Sequence, residues 1–94
     1  MELLGIENFR LIDRNKAAGD TYFAYNGAQA KAEFIFYLQG NECLSIRVGR
    51  HDGIAPTKVL EDYINEYRRD LKKKVQPEVV RVKQERLAKL AEQS

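Results

Sequence analysis

The 94-residue chain has no tryptophan, and cysteine, histidine and methionine occur once each, as Cys43, His51 and Met1. A lone cysteine forms no internal disulfide, and with a single histidine it assembles no four-ligand zinc site, so no metal is expected. No apolar run approaches the roughly 18 residues that a membrane-spanning helix needs. The opening "MELLGIENFR" lacks the basic lead and unbroken apolar stretch of a secretion signal, so the chain reads as cytoplasmic with no membrane partner. Also missing are a glycine-rich phosphate loop, a paired metal-ligand motif and a nucleophile elbow. No cofactor and no catalysis are expected.

The residues present are those of an ordinary globular domain, 44% hydrophobic and 32% charged, which argues against wholesale disorder. A chain this short supports one modest core, hiding on the order of two-thirds of its unfolded surface. Charge is unevenly spread. Residues 1–67 carry seven Lys and Arg against ten Asp and Glu, net −3, while residues 68–94 carry nine against four, net +5. The division expected is a single α+β domain over 1–75 and a basic helical arm over 76–94.

The centre reads as an antiparallel meander. "TYFAY", then Asn26-Gly27, then "AQAKAEFIFYL" is a hairpin signal, because a type I′ turn needs positive φ at both central residues. A two-residue turn sets Tyr25 opposite Ala28, Phe23 opposite Ala30 and Thr21 opposite Ala32. For the next connection, a two-residue Gly40-Asn41 turn would put the apolar rows of the two strands on opposite faces. A three-residue loop, Gln39 to Asn41 with Asn41 left-handed, sets Phe36 opposite Leu44, Phe34 opposite Ile46 and Ala32 opposite Val48. One face then carries Phe23, Tyr25, Phe34, Phe36, Leu44, Ile46 and Val48.

Residues 57–75 supply the cover for that face. Val59, Leu60, Tyr63, Ile64, Tyr67, Leu71 and Val75 recur at helical spacing, and Pro56 suits a first turn. Pro77 disfavours helical geometry at Gln76 and so ends or kinks this helix. The segment after it reads as a second, basic helix with a thin stripe of Val80, Leu87, Leu90 and Ala91. At the N-terminus, a strand over about Gly5–Asp13 is favoured over a short helix, with "NKAAGD" as a turn-rich link. The fold class predicted is therefore a three- or four-stranded meander covered on one face by an amphipathic helix, followed by a C-terminal basic helix.

Besides the thin C-terminal stripe, three sets of residues are candidates for function. Tyr22, Lys31, Glu33, Ile35, Tyr37, Ser45 and Arg47 share the second sheet face, with Lys31 beside Tyr22 and Glu33 beside Arg47. Rings flanked by cations suit single-stranded nucleic acid, although the N-terminal segment is an alternative cover for this face. Arg68, Arg69, Lys72, Lys73 and Lys74 form a dense cluster that attracts phosphates or an acidic protein surface. In "RVGRHDGIAP", Arg50 and His51 precede a helix start and offer an anion contact; the plainer reading is a strand-to-helix corner. Catalysis by His51 lacks a partner, and Cys43, placed opposite Tyr37, has no histidine near it in sequence.

The words "NGAQAK" and "GIAPTKVLEDY", the latter ahead of the amphipathic helix, resemble single-strand-binding domains of the positive-cofactor type. That resemblance implies a strongly curved sheet followed by a helix. It spans only these residues, and the chain lacks the family's basic, serine-rich lead-in. The function expected is a small non-catalytic binding protein that takes an anionic partner, with nucleic acid first. The rival is a protein-interaction module, a regulator or inhibitor, presenting Val80, Leu87, Leu90 and Ala91 to a partner or forming a homodimer.

Overall fold

The computed structural model describes residues 1–92. Four antiparallel strands, β1 (Glu2–Asp13), β2 (Lys16–Tyr25), β3 (Ala28–Gln39) and β4 (Glu42–His51), form one sheet in the order β1-β2-β3-β4. A single helix, α1 (Thr57–Glu92), lies over one face and touches both outer strands. The helical span, kinked at Tyr67, runs along the long dimension of a molecule measuring 50 × 21 × 17 Å.

The first hairpin has the predicted register. Tyr25, Phe23 and Thr21 pair with Ala28, Ala30 and Ala32, and Asn26 and Gly27 adopt φ of 47° and 78°, the left-handed pair that a type I′ turn requires. Strand β2, however, begins at Lys16 rather than Thr21, so "KAAGD" is strand and not linker. The small residues there make room for rings. A Cβ on Gly19 would meet Ile6 Cγ2 at 2.9 Å and Phe9 Cδ2 at 3.3 Å, and the Phe9 and Phe36 rings lie 5.4 Å apart above this stretch. β1 extends the sheet beside β2 instead of covering its second face.

The second hairpin differs from the predicted three-residue loop. Gln39 pairs with Glu42 across a two-residue Gly40-Asn41 turn, and one residue later the register shifts, so that Leu38 pairs with Cys43 but Tyr37 pairs with Ser45. Gly40, at φ 59°, takes the left-handed position instead of Asn41. The bulge restores the parity that the short turn alone would lose. Its consequence is that Leu44 is extruded, 49% exposed, while Cys43 is buried in its place. Phe36 then faces Ile46, Phe34 faces Val48, Ile35 faces Arg47, and Ala32 pairs with His51. Arg47 is therefore not opposite Glu33, nor Cys43 opposite Tyr37.

The helix continues through Pro77 and is kinked instead at Tyr67, whose φ of −109° and ψ of 23° are non-helical and join two helical pieces. Proline in a helix deprives the carbonyl four residues earlier of its donor. Here Lys73 and Pro77 are both exposed, so the freed carbonyl lies on the solvent side of the helix, while Val75 and Val79 on either side are buried and hold the helix to the sheet. Leu60, Ile64, Leu71, Val75, Val79 and Val82 make the buried stripe. Val79 and Val82, assigned in sequence to a separate arm, thus belong to the same core as Phe23, Phe34 and Phe36. Tyr67, expected in the stripe, is 37% exposed.

Candidate functional site

In an antiparallel sheet, residues paired across neighbouring strands point to the same side, so the uncovered face is built of transverse rows. Nearest the Gly40 turn, Lys16, Tyr37 and Ser45 form one row. Arg10, Ala18, Ile35 and Arg47 form the next. Glu7, Asp20 and Glu33 make an acidic third row, with Gly49 close enough that a Cβ would sit 2.9 Å from Glu33 Oε1. Gly5, Tyr22 and Lys31 form the fourth.

The residues predicted to share this face do share it, but the acidic row divides them. Tyr37 and Arg47 lie on one side, Tyr22 and Lys31 on the other. Each tyrosine has its own cation: Lys31 Nζ lies 5.8 Å from the Tyr22 ring centre and Lys16 Nζ 5.4 Å from that of Tyr37, within the range of cation–π attraction. Arg10 reaches across from its row into the acidic one, donating to Glu33 at 2.5 Å and approaching Asp20 at 3.5 Å. Lys16 and Arg10 escaped the sequence reading. Continuing the first-hairpin register back along β2 places Lys16 opposite Tyr37, so the signal was present once that strand was taken as long enough.

Arg50 and His51 close β4, and His51 is committed to the corner. Its Nδ1 accepts from the Gly53 N–H at 3.1 Å, and its Nε2 lies 2.8 Å from Thr57 Oγ1 in the first turn of α1. With Nδ1 accepting, Nε2 carries the proton and donates to that hydroxyl. Asp52 is equally occupied, its carboxylate accepting from the backbone N–H groups of Lys31 and Ile54. The Pro56 carbonyl accepts the first helical bond from Leu60. The plainer reading of "RVGRHDGIAP" accounts for every one of these contacts.

The basic cluster on α1 is split between two flanks. Lys74 lines a hollow on the β1 side with Tyr63, Tyr67 and Asp70, where burial, and then the neighbouring Tyr67, Asp70 and Glu66, push the Tyr63 hydroxyl above its ordinary pKa. Arg68 lies on the β4 side, in a groove of about 450 Å³ shared with Arg47, Ser45, Asn65 and Glu61. Lys72 and Lys73 line the adjoining hollow with Glu42 and Cys43, and Arg69 is exposed. Burial raises the Cys43 thiol pKa, with Lys72 pulling the other way. Arg68 donates to Asn65 Oδ1 at 2.9 Å. Among the described residues, none of Arg47, Arg68, Lys72 and Lys73 has a carboxylate within ion-pair distance.

At the far end of α1, Val80 is half-buried and Ala91 exposed, while Leu87 and Leu90 are 66% and 55% exposed. No helix among the described residues is long and apolar enough to cross a membrane. No protein-family model, curated protein or solved structure matches the chain.

Proposed function

We propose that the protein binds single-stranded nucleic acid around the free edge of β4, without catalysing a reaction. The observation that carries this reading is the placement of Arg47, which belongs to the Tyr37 half of the open face and also lines the groove containing Arg68. Through it, Lys16 and Tyr37 on the sheet and Arg68, Lys72 and Lys73 on the helix lie along one path over the β4 edge. Bases stack on Tyr37 while the cations hold successive phosphates. The acidic row of Glu7, Asp20 and Glu33, whose three carboxylates Arg10 offsets only in part, repels a backbone running across the sheet toward Tyr22, which favours the route over the edge.

Fluorescence anisotropy with a labelled oligothymidine tests the reading. Phosphate contacts from all five cations, Lys16, Arg47, Arg68, Lys72 and Lys73, give a slope of about −3.5 for log affinity against log salt on a single strand. The triple variant Arg68→Gln, Lys72→Gln, Lys73→Gln leaves Lys16 and Arg47 and should flatten that slope toward about −1.4, and Tyr22→Ala should leave affinity within about twofold. Absence of binding at low salt, or a slope unchanged in the triple variant, removes the proposal.

A further inference from the structure

The last three turns of α1 run past the core stripe, yet they remain beside the sheet. Lys83 Nζ donates to the Gly40 carbonyl, and Arg81 reaches the Phe9 carbonyl at 3.5 Å. Between these turns and the end of β1 lies a groove of about 410 Å³ whose apolar walls are Leu11, Leu87 and Leu90. Its rim is basic: Arg14, Lys83 and Arg86 border it, and Arg86 continues with Lys89 into a second hollow on the other side of Leu11. Of the two acids that line the second hollow, Glu85 accepts from Arg81 at 2.9 Å while Glu78 holds the same guanidinium at 2.7 Å. Asp13 accepts the Asn15 backbone N–H at 2.8 Å.

We propose that this groove docks an acidic amphipathic helix of a partner protein, two of whose aliphatic side chains, one turn apart, fill the space between Leu11 and the Leu87–Leu90 pair. Charge complementarity selects the occupant. Three cations on the rim of an aliphatic trough, with Lys89 in the neighbouring hollow, attract carboxylates beside an apolar stripe and repel a second copy of the same basic surface. A nucleic acid is disfavoured because the trough has no ring on which a base could stack. A lipid surface is disfavoured because the apolar residues line a recess instead of projecting from a helix face. Leu87 and Leu90 lie outside the buried core, so both can be changed without removing packing that the fold depends on.

The test uses the full-length chain and three fluorescent synthetic helices of equal length. One carries leucines at i and i+4 flanked by glutamates, one has the same leucines flanked by lysines, and one has the glutamates with alanines in place of leucines. Anisotropy should show saturable binding of the first only, weakened about tenfold or more by Leu87→Ala with Leu90→Ala and weakened by salt. Thermal melts of the double variant should match the parent, separating loss of the groove from loss of the fold. Equal binding of all three peptides, or leucine–glutamate binding indifferent to the two leucine substitutions, overturns the proposal. It is also overturned if sedimentation shows self-association, or if anionic phosphatidylserine vesicles capture the parent, and the double variant abolishes that instead. The oligothymidine measurement concerns other residues, so either result stands without the other.

Discussion

On the helix side of β3, Ala30, Ala32, Phe34, Phe36 and Leu38 are each 4% exposed or less, whereas Lys31, Glu33, Ile35 and Tyr37 between them are exposed or half-buried. The strands are the same and the physics differs. On the covered face shape is matched to shape: Phe23 meets Phe34 at 5.7 Å and Tyr63 edge-on at 5.0 Å, with alanines and a glycine opposite the rings. On the open face charge is matched to charge across rows, Arg10 to Asp20 and Glu33, and Arg47 at the β4 edge has no such match among the described residues. Contacts of the first kind are insensitive to salt, and those of the second kind are not.

Substitutions separate the two faces, and the largest effect belongs to the covered one. Phe34→Ala should cost about 3–5 kcal/mol in urea denaturation, and a loss below about 2 kcal/mol would mean that the helix does not seal this face. Tyr37→Ala, one face over and three residues on, should leave stability within about 0.5 kcal/mol. Its effect should be on oligothymidine affinity instead, a loss of about 1–3 kcal/mol by anisotropy.

Thr21 is a buried polar side chain on the covered face, its hydroxyl donating to the Ala32 carbonyl at 2.6 Å. Thr21→Val should cost about 1 kcal/mol at any ionic strength. Arg10→Ala, which releases Glu33 and Asp20 on the open face, should cost only about 0.5 kcal/mol, because this pair is partly solvated, and the difference should vanish near 1 M salt. A loss that survives high salt would blur the contrast between the faces.

The smallest effect is the pH dependence linked to Cys43. Because burial raises its thiol pKa in the folded chain, the native state keeps this proton after the unfolded chain has begun to release it. Stability therefore falls as pH rises through the ordinary thiol value of about 8.5. Cys43→Ala should shed this part of the decline when melts of parent and variant are compared between neutral and alkaline pH, and identical slopes would place the thiol in water.

Much of the fold was legible because its determinants are local. Asn26-Gly27 specifies a turn through φ alone, β3 alternates cleanly, and Leu60, Ile64, Leu71 and Val75 follow the helical period. The candidate site was legible only as separate parts. Tyr37, Arg47 and the cluster from Arg68 to Lys74 each carried a compositional signal, but their grouping depends on which flank of α1 faces β4. The β4 bulge and the path of the helix relative to the strands decide that. Lys16 was missed because "KAAGD" resembles a turn until Phe9 and Phe36 are known to lie over it.

The sequence by itself determined the meander, the first hairpin register, the parity that puts phenylalanine on one face and tyrosine with lysine on the other, and a helix with a buried stripe. Each follows from backbone preference or from a period of two or 3.6 residues. Tertiary structure decided the rest. It extruded Leu44 and drew in Cys43, because the apolar rows had to meet after a short turn. It carried α1 on through Pro77, because Val75, Val79 and Val82 gain more from burial than one lost helical bond removes. It also drew Arg47 and Arg68 to one groove, a meeting between residues twenty-one positions apart that no local rule encodes.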